Sequence, residues 1–301
     1  MRAIPYLHLD VFTDRRFEGN QLAVFPDPRG LTADDMLAIT REMNFSECTF
    51  ILPAEGGGDV RMRIFTPGAE LPMAGHPTIG STFALAIEGI IAPRRTDWVF
   101  ELGVGPTPVS LEWDGDRLAF AWMTQPLPSF GDEVVERGAL AAAIGVETKD
   151  LSDHPPQVVS CGVPFLFVPL RTRRAVDAVT VDRRALLRCY DAAEMEEQPI
   201  FVFTTEKGSG NETVYSRMLA PTLGVAEDPA TGAASGPLGC YLFHHGIVSP
   251  EQARTLLSLQ GVQMGRPSRI HISIDSKDET IARVRIGGTS VMVGRGTLEV
   301  D

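Results

Sequence analysis

Two short stretches combine charged residues, prolines and glycines in a way that could bind an anionic substrate. They are residues 70–80, with the sequence ELPMAGHPTIG, and residues 227–237, with the sequence EDPATGAASGP. Each leads directly into an apolar run, which predicts a turn followed by a buried helix. A helix N-terminus presents unpaired N–H groups and a partial positive charge, so both turns are candidate carboxylate sites. Gly75 and Gly232 would let a ligand approach the backbone closely.

Three titratable residues in or near these turns could transfer a proton or orient a substrate. His76 follows a turn glycine, Asp228 belongs to the second turn, and Glu47 lies at the mouth of a predicted strand between Phe45 and Phe50. A carboxyl group against apolar side chains has a raised pKa and can act as a proton shuttle at neutral pH. Each residue also has an ordinary alternative: a histidine or aspartate that caps its own turn or helix, or a solvated glutamate at a strand end.

The two turns belong to a larger internal repeat. In each copy an apolar strand, a glycine-rich hairpin tip and a second strand with the pattern Arg-x-x-x-Pro precede the turn. The offset between copies is 154 positions at the arginines (217 − 63) and 157 at the turn glycines (232 − 75), so one small insertion separates them. We expect the two halves to face each other, with both helix N-termini pointing into one cleft.

The predicted elements make both halves β-rich, with one long apolar helix in each. Thr32 and Asp35 have the spacing of a capping box, and Asn44 ends the helix that they begin. The proline-rich residues 125–129 are the predicted boundary, giving an N-terminal half at residues 1–125 and a C-terminal half at 126–301. A last strand at about residues 290–301 is expected to pack back on the first half. Two further helices are predicted at residues 134–144 and 181–189.

The charge, hydropathy and cysteine content of the chain argue against several classes of partner and location. The chain has 301 residues, a formal charge of −12 and a pI near 5.0, which argues against nucleic acid or an anionic membrane as a partner. It has no apolar run long enough to span a membrane and no signal-peptide core. The four cysteines are scattered, which favours free thiols in a reducing cytoplasm.

The sequence indicates neither a metal nor an organic cofactor. None of the six histidines has a ligand-like spacing to another, and the glycine-rich residues 56–58 and 208–210 lack the lysine of a phosphate-binding loop. No Gly-x-Gly-x-x-Gly segment follows a strand and opens a helix, so a nicotinamide or flavin is not expected.

A series of motifs, in order along nearly the whole chain, resembles the PhzF-like phenazine-biosynthesis family. The motifs are GN with AVF at residues 19–25, REMNFSECTF at 41–50, RIFTP at 63–67, ELPMAGHPT at 70–78, EDPATG at 227–232, and QG with GRPS at 260–268. The resemblance implies the diaminopimelate-epimerase fold, an α+β architecture of two pseudo-symmetric domains. Each domain would be a β-barrel-like mixed sheet wrapped around a central α-helix. The resemblance also implies an isomerase of a small carboxylate that needs no cofactor and forms a homodimer.

The same resemblance implies roles for individual residues. Glu47 would remove and return a proton, His76 would position the substrate, and Asp228 would be the cleft aspartate. The type member of the family moves a proton between ring carbons of trans-2,3-dihydro-3-hydroxyanthranilate. The implied substrate-binding residues are Asn20, Gly75, Pro77, Thr231, Gly232 and Ala233.

Two departures keep other hypotheses open. The usual family sequence after Thr-Gly is Ser-Ala, whereas this chain has Ala233 in the position of a serine that contacts substrate, which leaves room for a non-catalytic binding protein. Related epimerases transfer the proton with two cysteines, and the resemblance assigns those positions to Ala74 and Pro229. None of the four cysteines lies at either position, which disfavours an amino-acid epimerase.

Overall fold

The computed structural model describes residues 2–221 and 225–300. The chain forms two compact units: unit 1 comprises Met1–Gln125 with Arg285–Asp301, and unit 2 comprises Pro126–Val284. None of the described helices is both long and apolar enough to span a membrane.

Unit 1 is built from strands of the N-terminal segment, two helices and the strand that ends the described chain. Its elements are β1 (Arg2–Val11), β2 (Asn20–Phe25), α1 (Ala33–Met43), β3 (Glu47–Pro53), β4 (Val60–Phe65), β5 (Glu70–Leu71), α2 (Gly75–Ile87), β6 (Asp97–Leu102), β7 (Gly105–Asp114), β8 (Arg117–Gln125) and β18 (Ser290–Val300).

Unit 2 has the same kinds of element and two more helices. They are β9 (Ser129–Glu133), α3 (Arg137–Ala143), β10 (Gln157–Ser160), β11 (Pro164–Pro169), α4 (Arg173–Ala178), α5 (Arg183–Ala192), β12 (Ile200–Thr204), β13 (Val214–Ala220), β14 (Val225–Asp228), α6 (Gly232–His244), β15 (Leu256–Gln260) and β16 (Ser268–Lys277). The chain passes from unit 1 to unit 2 between Gln125 and Pro126 and returns to unit 1 within β17 (Thr280–Gly288).

Strand pairing repeats between the units. In unit 1, β1 pairs antiparallel with β18 and β2, β2 parallel with β3, β3 antiparallel with β4, β4 parallel with β6, and β6 antiparallel with β7. Unit 2 repeats this series. There, β10 pairs antiparallel with β9 and β11, β11 parallel with β12, β12 antiparallel with β13, β13 parallel with β15, and β15 antiparallel with β16. The short strands β5 and β14 pair antiparallel with β4 and β13. The predicted α+β fold of two similar halves is confirmed.

Each unit has one 13-residue helix at its centre, as predicted. In α2 all residues from Gly75 to Leu85 are buried, and in α6 all residues from Gly232 to Leu242 are buried. A helix that is apolar on every face is stable only when it is enclosed, which explains why sheet strands surround both. Gly89 and Gly246 follow the two helices with φ of 70° and 65°, a left-handed conformation that favours glycine.

The local signals of α1 are present as predicted. The Thr32 side chain accepts from the backbone N–H of Asp35, and the Asp35 side chain accepts from the backbone N–H of Thr32. Asn44 closes the helix in the left-handed conformation. These contacts involve residues at most four apart, so short-range chemistry alone determines them.

The smaller helices of unit 2 differ from the prediction. α3 begins at Arg137 rather than at residue 134, because the N–H of Val134 donates to the carbonyl of Pro156 and continues the pairing of β9 with β10. α5 begins at Arg183 rather than at residue 181, because Asp182 caps it by accepting two backbone N–H groups. The six-residue helix α4 was not predicted at all.

Candidate functional site

Glu47 and His76 meet inside unit 1. Glu47 is the first residue of β3 and His76 is the second residue of α2. Oε2 of Glu47 lies 3.2 Å from Nε2 of His76, and their side chains are 16% and 4% exposed. The sequence analysis selected both residues as candidates. The fold brings the carboxyl group of Glu47 into contact with the imidazole of His76, and little solvent surrounds them.

The alternation of β3 explains why Glu47 faces this pocket. Glu47 and Thr49 lie on one face of the strand, and Oγ1 of Thr49 is 2.8 Å from Oγ of Ser81 in α2. Phe50 lies on the opposite face, where its ring stacks on Phe25 at 4.7 Å in the core that includes α1. We expected the Phe50 ring to lie against the Glu47 carboxyl group. This expectation is wrong, because residues three apart in a strand point to opposite faces.

Asn20 holds the other end of the imidazole. Nδ2 of Asn20 lies 3.2 Å from Nδ1 of His76, and Oδ1 of Asn20 accepts a hydrogen bond from Oγ of Ser46 at 3.2 Å. The hydroxyl of Ser46 thus orients the amide so that its NH₂ group faces the ring. When Nδ1 accepts from that amide, the ring hydrogen lies on Nε2, the nitrogen that is 3.2 Å from Oε2 of Glu47.

Burial sets the charge of His76. Loss of solvent lowers the pKa of its imidazole from 6.5 to about 3, although a backbone hydrogen bond with Gln21 acts in the opposite direction. The ring is therefore neutral at neutral pH. A neutral ring can donate one hydrogen bond and accept one, which suits a residue that lies between the Asn20 amide and the Glu47 carboxyl group.

No side chain caps the N-terminus of α2. Gly75 is its first residue, and the N-cap residue Ala74 has no side-chain acceptor to offer the first turn. Pro77 lies at the third position, where a missing N–H costs little because first-turn N–H groups have no helical partner. None of the residues of this first turn is acidic, and the acidic group beside it is the Glu47 carboxyl group from β3.

Asp228 lies in unit 2 and is joined to Thr231 and Gln260. Oγ1 of Thr231 donates to Oδ2 of Asp228 at 2.5 Å. Nε2 of Gln260 donates to the Asp228 carbonyl at 2.7 Å and to Oγ1 of Thr231 at 3.0 Å, and Oε1 of Gln260 accepts from the Thr231 N–H at 3.1 Å. Sequence reasoning selected Asp228 and Thr231 but gave Gln260 no role.

The first turn of α6 begins at Gly232 and includes Ala233. Both residues are buried, and Pro237 cannot donate to the Ala233 carbonyl four residues earlier. Ser235, the next hydroxyl along the chain, donates to the carbonyl of Thr231 at 3.0 Å. Its hydroxyl is thus used within the helix and does not replace the serine that the resemblance led us to expect at position 233.

A salt bridge lies beside each turn, and the sequence analysis predicted neither of them. In unit 1, Nε and Nη2 of Arg63 donate hydrogen bonds to the two carboxylate oxygens of Glu70 at 2.7 and 2.6 Å. In unit 2, Arg217 binds Glu227 through the same atoms at 3.0 and 2.9 Å. The available signal was that each glutamate lies five residues before the first helical glycine (75 − 70 and 232 − 227).

The resemblance assigned the two cysteine positions of related epimerases to Ala74 and Pro229. In the structure Ala74 directly precedes the first residue of α2, and Thr231 directly precedes the first residue of α6. Neither position holds a cysteine. All four cysteines are free, and burial raises the pKa of the Cys48 thiol to about 12. Residues 2–221 and 225–300 contain no cluster of His, Cys, Asp and Glu suited to a metal ion.

Comparison with known proteins agrees with this architecture. The family model described as phenazine biosynthesis-like protein matches residues 9–296. A protein of Pseudomonas fluorescens named trans-2,3-dihydro-3-hydroxyanthranilate isomerase is 37% identical over 297 residues, covering 97% of this chain and 98% of that one. The Escherichia coli K12 protein named uncharacterized isomerase YddE is 32% identical and covers 95% of both chains.

Solved structures resemble the whole chain. The crystal structure of a PhzF-family phenazine biosynthesis protein of Bacillus anthracis has a TM-score of 0.88 at 26% identity and covers both chains fully. A hydroxyproline epimerase of Agrobacterium vitis shares the fold at a TM-score of 0.65 and 14% identity, covering 99% of this chain and 92% of that one. The chain belongs to the phenazine biosynthesis-like family and is an isomerase of the PhzF type.

Proposed function

We propose that this isomerase needs no cofactor and moves a proton between carbon atoms of a small carboxylate, with Glu47 as the acid–base group. The substrate we propose is trans-2,3-dihydro-3-hydroxyanthranilate, because relatives 35–37% identical over 97% of this chain carry the name of its isomerase. The observation that carries the chemistry is the 3.2 Å contact between Glu47 and His76 at a nearly buried position.

Each proposed role follows from the chemistry of the residue. Glu47 takes a proton from one carbon and returns it to another, which a single carboxyl group can do if the substrate stays bound between the two steps. His76, neutral and held by Asn20, keeps the carboxyl group of Glu47 oriented and so positions it for the substrate.

Gly75 and Gly232, the first residues of α2 and α6, are proposed as substrate-binding residues, because first-turn N–H groups can bind a carboxylate. Asn20, Pro77, Thr231 and Ala233 complete the proposed binding residues, and Asp228 is proposed to act on the substrate as an acceptor. We further propose a cytoplasmic homodimer; static light scattering at several protein concentrations tests the dimer.

The test of the reaction is isomerisation in deuterated water. Purified protein treated with EDTA is incubated with trans-2,3-dihydro-3-hydroxyanthranilate and followed by proton NMR and mass spectrometry. We expect a shifted double bond, solvent deuterium bound to ring carbon, and no loss of rate after chelation. Binding of the substrate without any rearrangement would contradict the proposed substrate, and a rate that depends on added metal would contradict the cofactor-free mechanism.

A further inference from the structure

The turns before α2 and α6 have the same backbone construction. Each is backed by a glycine that directly follows a strand: Gly103 after β6 and Gly261 after β15. A Cβ atom on Gly103 would lie 2.8 Å from Cα of Pro72, and one on Gly261 would lie 2.5 Å from the carbonyl oxygen of Pro229. Pro72 and Pro229 occupy the same place in the two turns, since each lies three residues before the first helical glycine.

The side chains on these matched backbones differ in kind. Strand register matches Leu71 with Asp228, since Ile64 pairs with Leu71 as Met218 pairs with Asp228. The same repeat matches Ala74 with Thr231 before the helices, and Leu102 with Gln260 before the backing glycines. Unit 1 thus has three apolar residues where unit 2 has a carboxylate, a hydroxyl and an amide.

Unit 1 therefore acts as an internal control for unit 2. Because an apolar set supports the same turn, forming the turn does not require Asp228, Thr231 or Gln260. Burying polar groups costs free energy unless every group finds a partner. A fully buried glutamine that unit 1 replaces with leucine must contribute something other than the turn itself.

The hydrogen bonds show what Gln260 contributes. Because Oγ1 of Thr231 accepts a hydrogen from Nε2 of Gln260, its own hydrogen is directed to Oδ2 of Asp228. A second hydrogen of the Gln260 amide fixes the Asp228 carbonyl, and Oε1 fixes the Thr231 N–H. The Gln260 amide thus fixes the backbone at Asp228 and Thr231 and also the orientation of the Thr231 hydroxyl, and both determine where the Asp228 carboxylate points.

We propose that Gln260, acting through Thr231, is a positioning residue that holds the Asp228 carboxylate in one orientation as a hydrogen-bond acceptor for the substrate. This rests on the proposed function only in taking Asp228 as a residue that acts on the substrate. The positioning itself concerns contacts within unit 2.

The first test uses the residues that unit 1 already contains. Gln260→Leu and Thr231→Ala should fold normally, as judged by circular dichroism and a cooperative thermal transition. Their kcat for the dihydro-hydroxyanthranilate should fall by about 10- to 100-fold, with a smaller change in KM, as expected for a misplaced reacting group. Thr231→Ser, which keeps the hydroxyl, should recover most of the lost kcat.

Gln157→Leu is the matched control. Gln157 is also a buried glutamine of unit 2 with hydrogen bonds at both ends of its amide, to the Gly131 carbonyl and to His245. It should lose stability without the selective loss of kcat. Equal kinetic effects of Gln157→Leu and Gln260→Leu, or no rescue by Thr231→Ser, would overturn the proposal.

The second test needs no substrate, so it separates failure of this proposal from failure of the proposed function. Crystal structures of Gln260→Leu and Thr231→Ala should show residues 227–232 with unchanged backbone and the Asp228 carboxylate in a different or multiple orientation. An unmoved carboxylate, or a rearranged turn backbone, would overturn the positioning role. If Gln260→Leu does not fold, the comparison of Thr231→Ala with Thr231→Ser decides.

Discussion

Oε2 of Glu47 lies 3.2 Å from Nε2 of His76, although the two residues are 29 positions apart (76 − 47) and come from a strand and a helix. The strand brings the carboxyl group to the N-terminal end of α2. The helix brings a ring whose other nitrogen faces Asn20. One contact therefore joins the proposed proton-transfer group to the proposed anion-binding helix end.

Glu47→Gln should lower kcat by at least about 100-fold, as expected for loss of a general acid–base, while the protein folds normally. The amide has nearly the same shape but cannot take up a proton. Steady-state kinetics and deuterium incorporation measure the effect. Glu42→Gln, a change of an exposed glutamate in α1, is the control and should leave kcat unchanged. Full activity of Glu47→Gln would remove Glu47 from the mechanism.

His76 should make the protein sensitive to acid. Its pKa is about 3 in the folded chain and 6.5 ordinarily, because burial disfavours the charged ring, so the unfolded state binds more protons between these values. The contribution of the neutral His76 ring to the unfolding free energy is complete above pH 6.5 and is lost as the pH falls towards about 3. Relative to His76→Asn, the wild-type unfolding free energy should fall by about 1.4 kcal/mol more per pH unit in this window. Urea unfolding at a series of pH values measures this, and parallel curves for the two proteins would contradict it.

Arg217 should contribute more stability than its counterpart Arg63. The side chains of Arg217 and Glu227 are 10% and 14% exposed, against 20% and 42% for Arg63 and Glu70. Arg217 also donates to three carbonyls at the end of α4. Arg217→Met should cost about 3–5 kcal/mol, because it leaves a buried carboxylate unpaired.

Arg63→Met should cost about 1 kcal/mol or less, as expected for a more exposed ion pair. Chemical denaturation of both variants gives the comparison. Equal losses would mean that the different burial of the two pairs does not determine their contributions.

Ala233→Ser should improve the proposed reaction. The hydroxyl would restore one hydrogen bond to the substrate, worth about 1 kcal/mol, so kcat/KM should rise about fivefold. Ala234→Ser, the same change one position later in α6, is the control and should give no gain. An unchanged kcat/KM for Ala233→Ser would indicate that the natural substrate does not use a hydroxyl at this position.

Features that depend on neighbouring residues could be predicted from the sequence. The Thr32–Asp35 capping box and the Asn44 cap need only contacts between residues three or four apart. The central helices could be predicted because apolar residues on every face, bounded by glycines, indicate an enclosed helix. The starts of α3 and α5 were missed because strand pairing at Val134 and a cap at Asp182 outweighed the apolar pattern.

The contacts that complete the candidate site depend on pairing between distant strands. Gln260 meets Thr231 and Asp228 across 29 and 32 positions, and only the packing of β15 beside the α6 turn brings them together. The Arg63–Glu70 and Arg217–Glu227 pairs likewise form because β5 and β14 fold back on β4 and β13. Residue types show that such groups can pair, but not which partner each one finds.

The pairing of β1 with β18 has a consequence for how the chain is synthesised. Unit 2 is one continuous segment that separates β1 from its partner β18 along the chain, so β1 leaves the ribosome long before β18. During translation one edge of β1 therefore stays open while some 280 residues are added. An open edge can pair with other chains. Nascent chains that stall within unit 2 should therefore depend on chaperones that cover this edge.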